Sequence, residues 1–209
     1  ALSGEGFPHS EFSGDSIPGW EPGDFPTAIA FSPDYRQIAV GHQSGRLRTI
    51  DIYERKQLNI GDAHENARIN GIAFSQDSTA VISGAERGEA KLWRVSDGKT
   101  LGRFAGRVDS VEKIDVRPDE RALASGSGHL DHEVSGWSLT DGTNVGRLPG
   151  NDRVRSLQFS PADQNLLAYT FDDPGLPITF WHSASERRIA FDSPFQDEAV
   201  ALAFSPDGR

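Results

Sequence analysis

The chain has 209 residues, of which 36% are hydrophobic, and this is long enough for a domain that buries a core without covalent cross-links. It has no cysteine, which excludes disulfides, thiolate metal sites and cysteine nucleophiles. No apolar run approaches the ~20 residues of a membrane span, and the net charge of -10 argues against binding to nucleic acid. We therefore expect a soluble protein with no membrane insertion and no nucleic-acid partner.

Residues 1–25 are rich in glycine and proline, which predicts a lead-in or linker without regular structure. The segment has no continuous apolar stretch of the kind that a secretory signal needs, and this favours a cytoplasmic location. The chain also has no methionine, even at position 1. We therefore expect a piece of a longer, multidomain protein.

From residue 26 onward the sequence repeats, and two markers recur in phase. One marker is a large apolar residue at Ile50, Trp93, Trp137 and Trp181, at intervals of 43, 44 and 44 residues. The other is a turn motif at intervals of 43, 42, 43 and 45 residues. Its five copies are Phe31-Ser32-Pro33-Asp34, Phe74-Ser75-Gln76-Asp77, Val116-Arg117-Pro118-Asp119, Phe159-Ser160-Pro161-Ala162-Asp163 and Phe204-Ser205-Pro206-Asp207.

Within each unit the apolar residues alternate, which is typical of strands with one buried face. In the second unit the pattern predicts strands that end at Phe74 and that cover 80–83, 90–95 and 100–104. The motif Ser96-Asp97-Gly98 supplies turn residues between the third and fourth of these strands. Each unit is therefore predicted to be a four-stranded antiparallel meander.

The segments Lys91-Leu92-Trp93-Arg94-Val95, Gly61-Asp62-Ala63-His64 and Ser83-Gly84, together with the turn markers, resemble the WD-repeat family over roughly residues 25–209. The resemblance implies an all-β fold, a β-propeller of four-stranded antiparallel blades. We expect a partial propeller, residues 26–209, with four blades and the first strand of a fifth. The remaining blades or fused domains are expected elsewhere in the full-length protein. The predicted blades are 26–62, 67–105, 109–149 and 152–193, and the next blade starts within 198–209.

The resemblance also implies a hydrogen-bond network in each blade, from a histidine through a serine or threonine to an aspartate and a tryptophan. The sequence departs from this pattern, with Arg87 at the aspartate position of the second unit and Arg107 and Asn151 at later histidine positions. Apolar packing is therefore expected to hold the blades more than the network does. The residues expected to form the network are His64, Ser83 and Trp93, then Ser125, Asp131 and Trp137, then Thr170 and Trp181.

In the WD-repeat family, the loops before the first strand and between the second and third strands share one face, which commonly binds proteins or peptides. We therefore expect a non-catalytic interaction scaffold that needs no cofactor and binds a protein or peptide partner through this face. Arginine is frequent at interface hot spots. The residues expected to contact a partner are Arg68, Arg107, Arg153, Asp109 and Asp152.

The alternative is a propeller enzyme with a metal or cofactor site at the central channel. Such an enzyme should repeat inward-facing histidines or carboxylates, but the equivalent positions hold Ser44, Arg87, Asp131 and Asp172. The segment 129–133 brings His129 and His132 close to two carboxylates, a combination that can chelate a divalent metal. Structural zinc sites usually take ligands from two separated segments, so an exposed polar turn is the favoured interpretation.

Overall fold

The computed structural model is described here for residues 23–58, 61–104, 110–119, 121–128, 132–150, 152–173, 178–191, 199–205 and 207–208. These residues form four antiparallel sheets of four strands each. Among them there is no helix long and apolar enough to cross a membrane. Most of the segment predicted to be a lead-in or linker, residues 1–25, lies outside the described residues.

Each sheet is a meander, because every strand pairs with its neighbour in sequence. This confirms the all-β fold of four-stranded antiparallel blades. The strands are β1 (Pro26–Phe31), β2 (Gln37–His42), β3 (Leu47–Asp51), β4 (Lys56–Leu58), β5 (Ile69–Phe74), β6 (Ala80–Ala85), β7 (Ala90–Arg94), β8 (Thr100–Phe104), β9 (Val111–Val116), β10 (Ala122–Ser127), β11 (Glu133–Ser138), β12 (Asn144–Pro149), β13 (Val154–Phe159), β14 (Leu166–Phe171), β15 (Ile178–His182) and β16 (Arg187–Phe191).

The turn between the first two strands of a blade is built by its serine and aspartate. The Ser32 hydroxyl donates to Asp34 Oδ1 over 2.5 Å, and the same oxygen accepts the backbone N–H of Arg36 over 3.0 Å. Ser75 and Asp77 repeat the arrangement in the second blade, with a hydroxyl-to-carboxylate distance of 2.6 Å. Serine and aspartate are therefore selected here because they replace backbone hydrogen bonds that a tight turn cannot make.

Adjacent blades approach most closely where a glycine on the second strand of one blade faces the first strand of the next. A Cβ atom on Gly126 would lie 2.5 Å from Val154 Cγ1 and 2.6 Å from Val154 Cβ, so only glycine fits at this spacing. At the fourth junction the repeat places a larger residue, Thr170, opposite a smaller one, Ala199. The three glycine junctions are Gly41 with Ile69, Gly84 with Val111, and Gly126 with Val154.

Two junctions are also joined by side-chain acceptors on the first strand. The Phe159 N–H of β13 donates to Asp115 Oδ2 of β9 over 2.7 Å. The Phe204 N–H donates to Gln158 Oε1 of β13 over 2.9 Å, and Gln158 occupies the position equivalent to Asp115. Segment 199–205, the predicted start of a fifth blade, therefore lies beside β13, although its described residues are not in a strand ladder.

The apolar core lies between the blades. In the second junction the rings of Phe104 and Trp137 meet edge to face, with centroids 6.5 Å apart. Phe74 of β5 is only 7% exposed because the first blade packs on it, whereas the equivalent Phe31 of β1 is 60% exposed. The described blades thus form an open arc, as expected for a partial propeller.

Candidate functional site

At the face predicted to bind a partner, backbone hydrogen bonds connect the turn between β2 and β3 to the loop that precedes β5. The carbonyl oxygen of Gly45 accepts the N–H groups of Ala63 and His64 over 3.1 and 2.9 Å. Gly45 has a φ of +87°, and a side chain there would run into the backbone of the 63–67 loop. The Glu86 N–H donates to the Arg68 carbonyl over 3.0 Å. Backbone bonds therefore fix this part of the face.

Among the residues predicted to contact a partner, Arg68 lies on a different blade from Asp152 and Arg153. Arg68 is exposed on the loop that precedes β5. Arg153 precedes β13 and forms an ion pair with Glu112 Oε2 at 2.5 Å, and its N–H donates to Asp152 Oδ1 over 2.7 Å. Arg107 and Asp109 lie outside the described residues. Arg68 is thus available to a partner, whereas the Arg153 side chain already pairs within the protein.

The hydrogen bonds expected in the second blade are present. Ser83 is fully buried, and its Oγ accepts the Trp93 indole N–H over 2.9 Å and lies 2.8 Å from His64 Nε2. Burial, reinforced by the nearby Lys91 ammonium, lowers the pKa of His64 from 6.5 to about 4. His64 is therefore neutral at neutral pH and acts as a structural hydrogen-bonding group.

The carboxylate nearest to His64 is one that the sequence pattern missed. Arg87, at the position expected for an aspartate, points to the loop, where it donates to the Glu65 carbonyl over 3.3 Å. Glu89, two residues later, has Oε2 at 3.7 Å from His64 Nδ1 and at 2.8 Å from Lys91 Nζ. Because 3.7 Å is too long for a hydrogen bond, this side of His64 has none.

We expect Ser83→Ala to lower the free energy of unfolding by about 2 to 3 kcal/mol, because it leaves two buried ring nitrogens unpaired. Urea unfolding measures the change. Ser138→Ala is the matched control, since the Ser138 hydroxyl accepts the N–H of exposed Thr140, and its effect should stay within about 0.5 kcal/mol. Equal effects of the two substitutions would contradict a stabilising role for the Ser83 network.

The network weakens along the chain. In the third blade the Trp137 indole donates to Ser125 Oγ over 3.0 Å, while Asp131 lies outside the described residues. In the fourth blade Thr170 is fully buried, yet its hydroxyl has no hydrogen-bond partner among the described residues. Trp181, expected to pair with it, is only half-buried. The network predicted from the sequence is therefore not completed at Thr170. Trp181 lines a groove between the third and fourth blades.

A second buried polar cluster lies at the start of the first blade. Asp24 accepts the Ser44 hydroxyl over 2.8 Å and the Ser44 N–H over 3.0 Å, and its Oδ2 lies 3.5 Å from Nδ1 of the buried His42. Ser44 donates to the carboxylate and not to the histidine, so the cluster lacks the order of a nucleophilic triad. It attaches residue 24 to the loop after β2. Nothing in the repeat pattern pointed to Asp24.

The possible metal ligands were His129 and His132. His129 lies outside the described residues, and the His132 carbonyl accepts the Gly150 N–H over 2.6 Å. His132 has a φ of +48°, which is consistent with a tight turn. Among the residues that the structure describes, no group of three or more histidine or acidic side chains is arranged to hold a metal ion.

Comparison with known proteins gives several relatives. WD repeat-containing protein slp1 of Schizosaccharomyces pombe is 24% identical over 82% of this chain and 36% of its own length. A DDB1- and CUL4-associated factor 11 homolog of Caenorhabditis briggsae is 33% identical over 53% of this chain and 21% of its own. Small ribosomal subunit protein RACK1 of Caenorhabditis elegans is 25% identical over 68% of this chain. The chain thus spans less than half the length of each of these relatives.

A solved structure, titled Crystal Structure of Mitotic Checkpoint Complex, contains a chain that superposes with a TM-score of 0.77 at 22% identity. The match covers 89% of this chain and 57% of that chain, and it shows a common propeller fold. The family model described as Nucleolar protein 10-like, N-terminal domain, a β-propeller domain, matches residues 21–134. The chain therefore belongs to this family of β-propeller domains, and its blades are of the WD-repeat type.

Proposed function

We propose that the chain is a non-catalytic scaffold that binds a protein or peptide partner through the loops of one face. The observation that carries the proposal is a cavity of about 190 Å³ in the second blade, between loop 61–68 and turn 86–89. Exposed Arg87 and Arg103 border it, and Glu89 and Lys91 form an ion pair at its wall. Arginine is among the residues enriched at the hot spots of protein interfaces.

The rigidity of this face supports the proposal. Arg68 and Glu86 are joined through backbone atoms, and Arg87 is bonded to the Glu65 carbonyl, so the exposed side chains project from loops that are already ordered. Binding to an ordered surface loses less conformational entropy than binding to a flexible one. The names of relatives, among them a ribosomal subunit protein and a translation initiation factor subunit, describe members of assemblies. A scaffold role is the corresponding proposal for this chain.

The test compares two double variants of equal charge change. Arg68→Glu with Arg87→Glu alters the loop face, and Arg94→Glu with Lys99→Glu alters the turn after β7. We expect the first variant to lose at least about tenfold in affinity for a captured partner, and the second to bind as the wild type does. Isotope-labelled affinity capture, with circular dichroism to confirm folding, provides the measurement. Full retention by the loop-face variant would refute the proposal.

A further inference from the structure

A cavity of about 360 Å³ lies on the inner side of the arc, where the first strands of the four blades stand side by side. Residues of β1, β5, β9 and β13 line it, together with Val200 and Ala201 of segment 199–205. Its size matches the lower range of ligand pockets in proteins. It is separate from the loop-face cavity of the second blade.

One position of the repeat contributes a residue from every unit to this cavity. Strand register aligns Ala28, Gly71, Lys113 and Ser156, which pair with Gly41, Gly84, Gly126 and Thr170. Ala201 follows Ser156 by the same 45 residues that separate Phe159 from Phe204. Four of the five aligned residues are small, so the long side chain of Lys113 is placed in a space that its counterparts leave open.

The charges around Lys113 leave its ammonium uncompensated. Arg153 pairs with Glu112 at 2.5 Å, and Arg155 makes two contacts of 2.6 Å with Asp172. These four charges cancel in pairs. The Lys113 ammonium makes no hydrogen bond and no ion pair with any other residue in the described part of the chain. The cluster therefore carries one net positive charge, located on Lys113.

Neutral donors complete the lining. The Ser156 hydroxyl oxygen accepts the Leu202 N–H over 3.1 Å, so its own proton is left to donate. Asn70 also lines the cavity, and its side-chain amide has no partner among the described residues. A carboxylate beside Lys113 would therefore find one cation and two neutral donors.

We propose that this cavity binds a single carboxylate side chain of an acidic peptide segment, with Lys113 as its counter-ion. The inference rests on the proposed function in that the ligand is a peptide. One unpaired ammonium matches a carboxylate, which carries one negative charge, better than a phosphoryl group, which carries nearly two at neutral pH. The net charge of -10 repels an acidic partner at long range, so recognition must come from this local site.

The pKa of Lys113 is consistent with an unpaired ammonium. Burial lowers it from 10.5, and the Arg153 and Arg155 charges lower it further, while Glu112 raises it. A carboxylate in the cavity would relieve this unfavourable environment. Ligand binding should therefore be accompanied by a more basic Lys113.

The test uses the four lysines of the chain, Lys56, Lys91, Lys99 and Lys113, as reporters. The protein is acetylated with an N-hydroxysuccinimide ester in the presence of a capped hexaglutamate peptide, a hexaserine peptide or a phosphoserine peptide, and each lysine is quantified by mass spectrometry. We expect hexaglutamate to slow labelling of Lys113 by about threefold or more. Labelling of the exposed Lys56 and Lys99 should not change, and hexaserine should have no effect.

Fluorescence anisotropy with labelled hexaglutamate provides a second readout. Lys113→Ala copies the residue at the equivalent position of the first blade and is expected to lower affinity about tenfold, whereas Lys99→Ala is the matched control and should bind normally. Equal slowing at all exposed lysines, unchanged labelling of Lys113, or stronger protection by the phosphoserine peptide would overturn the proposal. Neither readout needs a cellular partner. The carboxylate site at Lys113 can therefore be refuted while the loop-face variant still loses its partner, and the scaffold function can be refuted while Lys113 still binds hexaglutamate.

Discussion

Gly126→Ala is expected to lower the free energy of unfolding by about 1 to 3 kcal/mol, although it adds a single methyl group. The added Cβ would lie 2.6 Å from Val154 Cβ. Val154 Cβ is attached to the backbone and no rotamer change can move it away, so the third and fourth blades must separate. Chemical denaturation with a global fit of the unfolding free energy measures the loss.

Two further variants test whether the contact itself causes the loss. Gly146→Ala makes the same substitution in β12 of the same blade, where an added Cβ would meet nothing within 4 Å, and its effect should stay within about 0.5 kcal/mol. Val154→Gly removes the opposing Cβ. The double variant of Gly126→Ala with Val154→Gly should be more stable than the sum of the single effects by about 1 kcal/mol or more. Additive losses would show that the two residues do not compete for the same space.

Asp115→Asn is expected to stabilise the protein at neutral pH and to change how its stability depends on pH. Burial raises the pKa of Asp115 from 3.8 to about 6, while N–H donors from Phe159 and Val116 partly offset this. Because the folded-state pKa lies above the unfolded-state pKa, the contribution of Asp115 to stability falls as pH rises from about 4 to about 6. Asparagine keeps an acceptor for Phe159, as Gln158 does for Phe204, and carries no charge.

The stability difference between Asp115→Asn and the wild type should therefore grow by about 1 to 3 kcal/mol between pH 4 and pH 7. Thermal and urea unfolding over this pH range measure it. Asp77→Asn is the control of opposite sign, because hydrogen bonds from Ser75 and Thr79 lower the pKa of Asp77. A pH-independent difference for Asp115→Asn would refute the expected titration.

His64 makes the free energy of unfolding change with pH in the opposite direction. Its folded-state pKa of about 4 lies below the unfolded value of 6.5, so its contribution to stability rises with pH over the same interval. In the wild type the two slopes partly cancel between pH 4 and pH 6. Removal of the Asp115 carboxyl should reveal the rising slope of His64.

The strands and turns could be predicted from the sequence because their signals are local. Alternation of apolar residues and the spacing of the Ser-Pro-Asp turns determine strand order within a blade, and the strands of the second blade were predicted to within two residues. Trp93 was found for the same reason, since it has a fixed offset within the repeat, whereas the role of His64 was implied by the family resemblance. The family resemblance then implied how the blades are arranged.

The parts that could not be predicted depend on which residues of different units meet. Asp115 and Phe159 are 44 residues apart, and only the packing of β9 against β13 joins them. Glu89, and not Arg87, approaches His64 because the turn at 86–88 directs Arg87 outward. The Lys113 ammonium lacks an ion-pair partner because the nearby Arg153 and Arg155 already pair with Glu112 and Asp172. Such contacts follow from three-dimensional register, which a single sequence does not specify.

The Asp115 acceptor also makes the third junction sensitive to pH in a way that the other junctions are not, since Gln158 at the fourth junction carries a neutral amide. The equivalent positions of the first two blades hold Ala30 and Ala73, whose side chains offer no acceptor. Among the described residues, an acceptor at this strand position is therefore found only at the third and fourth junctions. Apolar contacts become weaker on cooling, whereas a junction that buries a carboxyl group is destabilised when that group ionises. Blades in a repeat array are coupled to their neighbours only. Temperature and acidity would therefore loosen the array at different points along the chain.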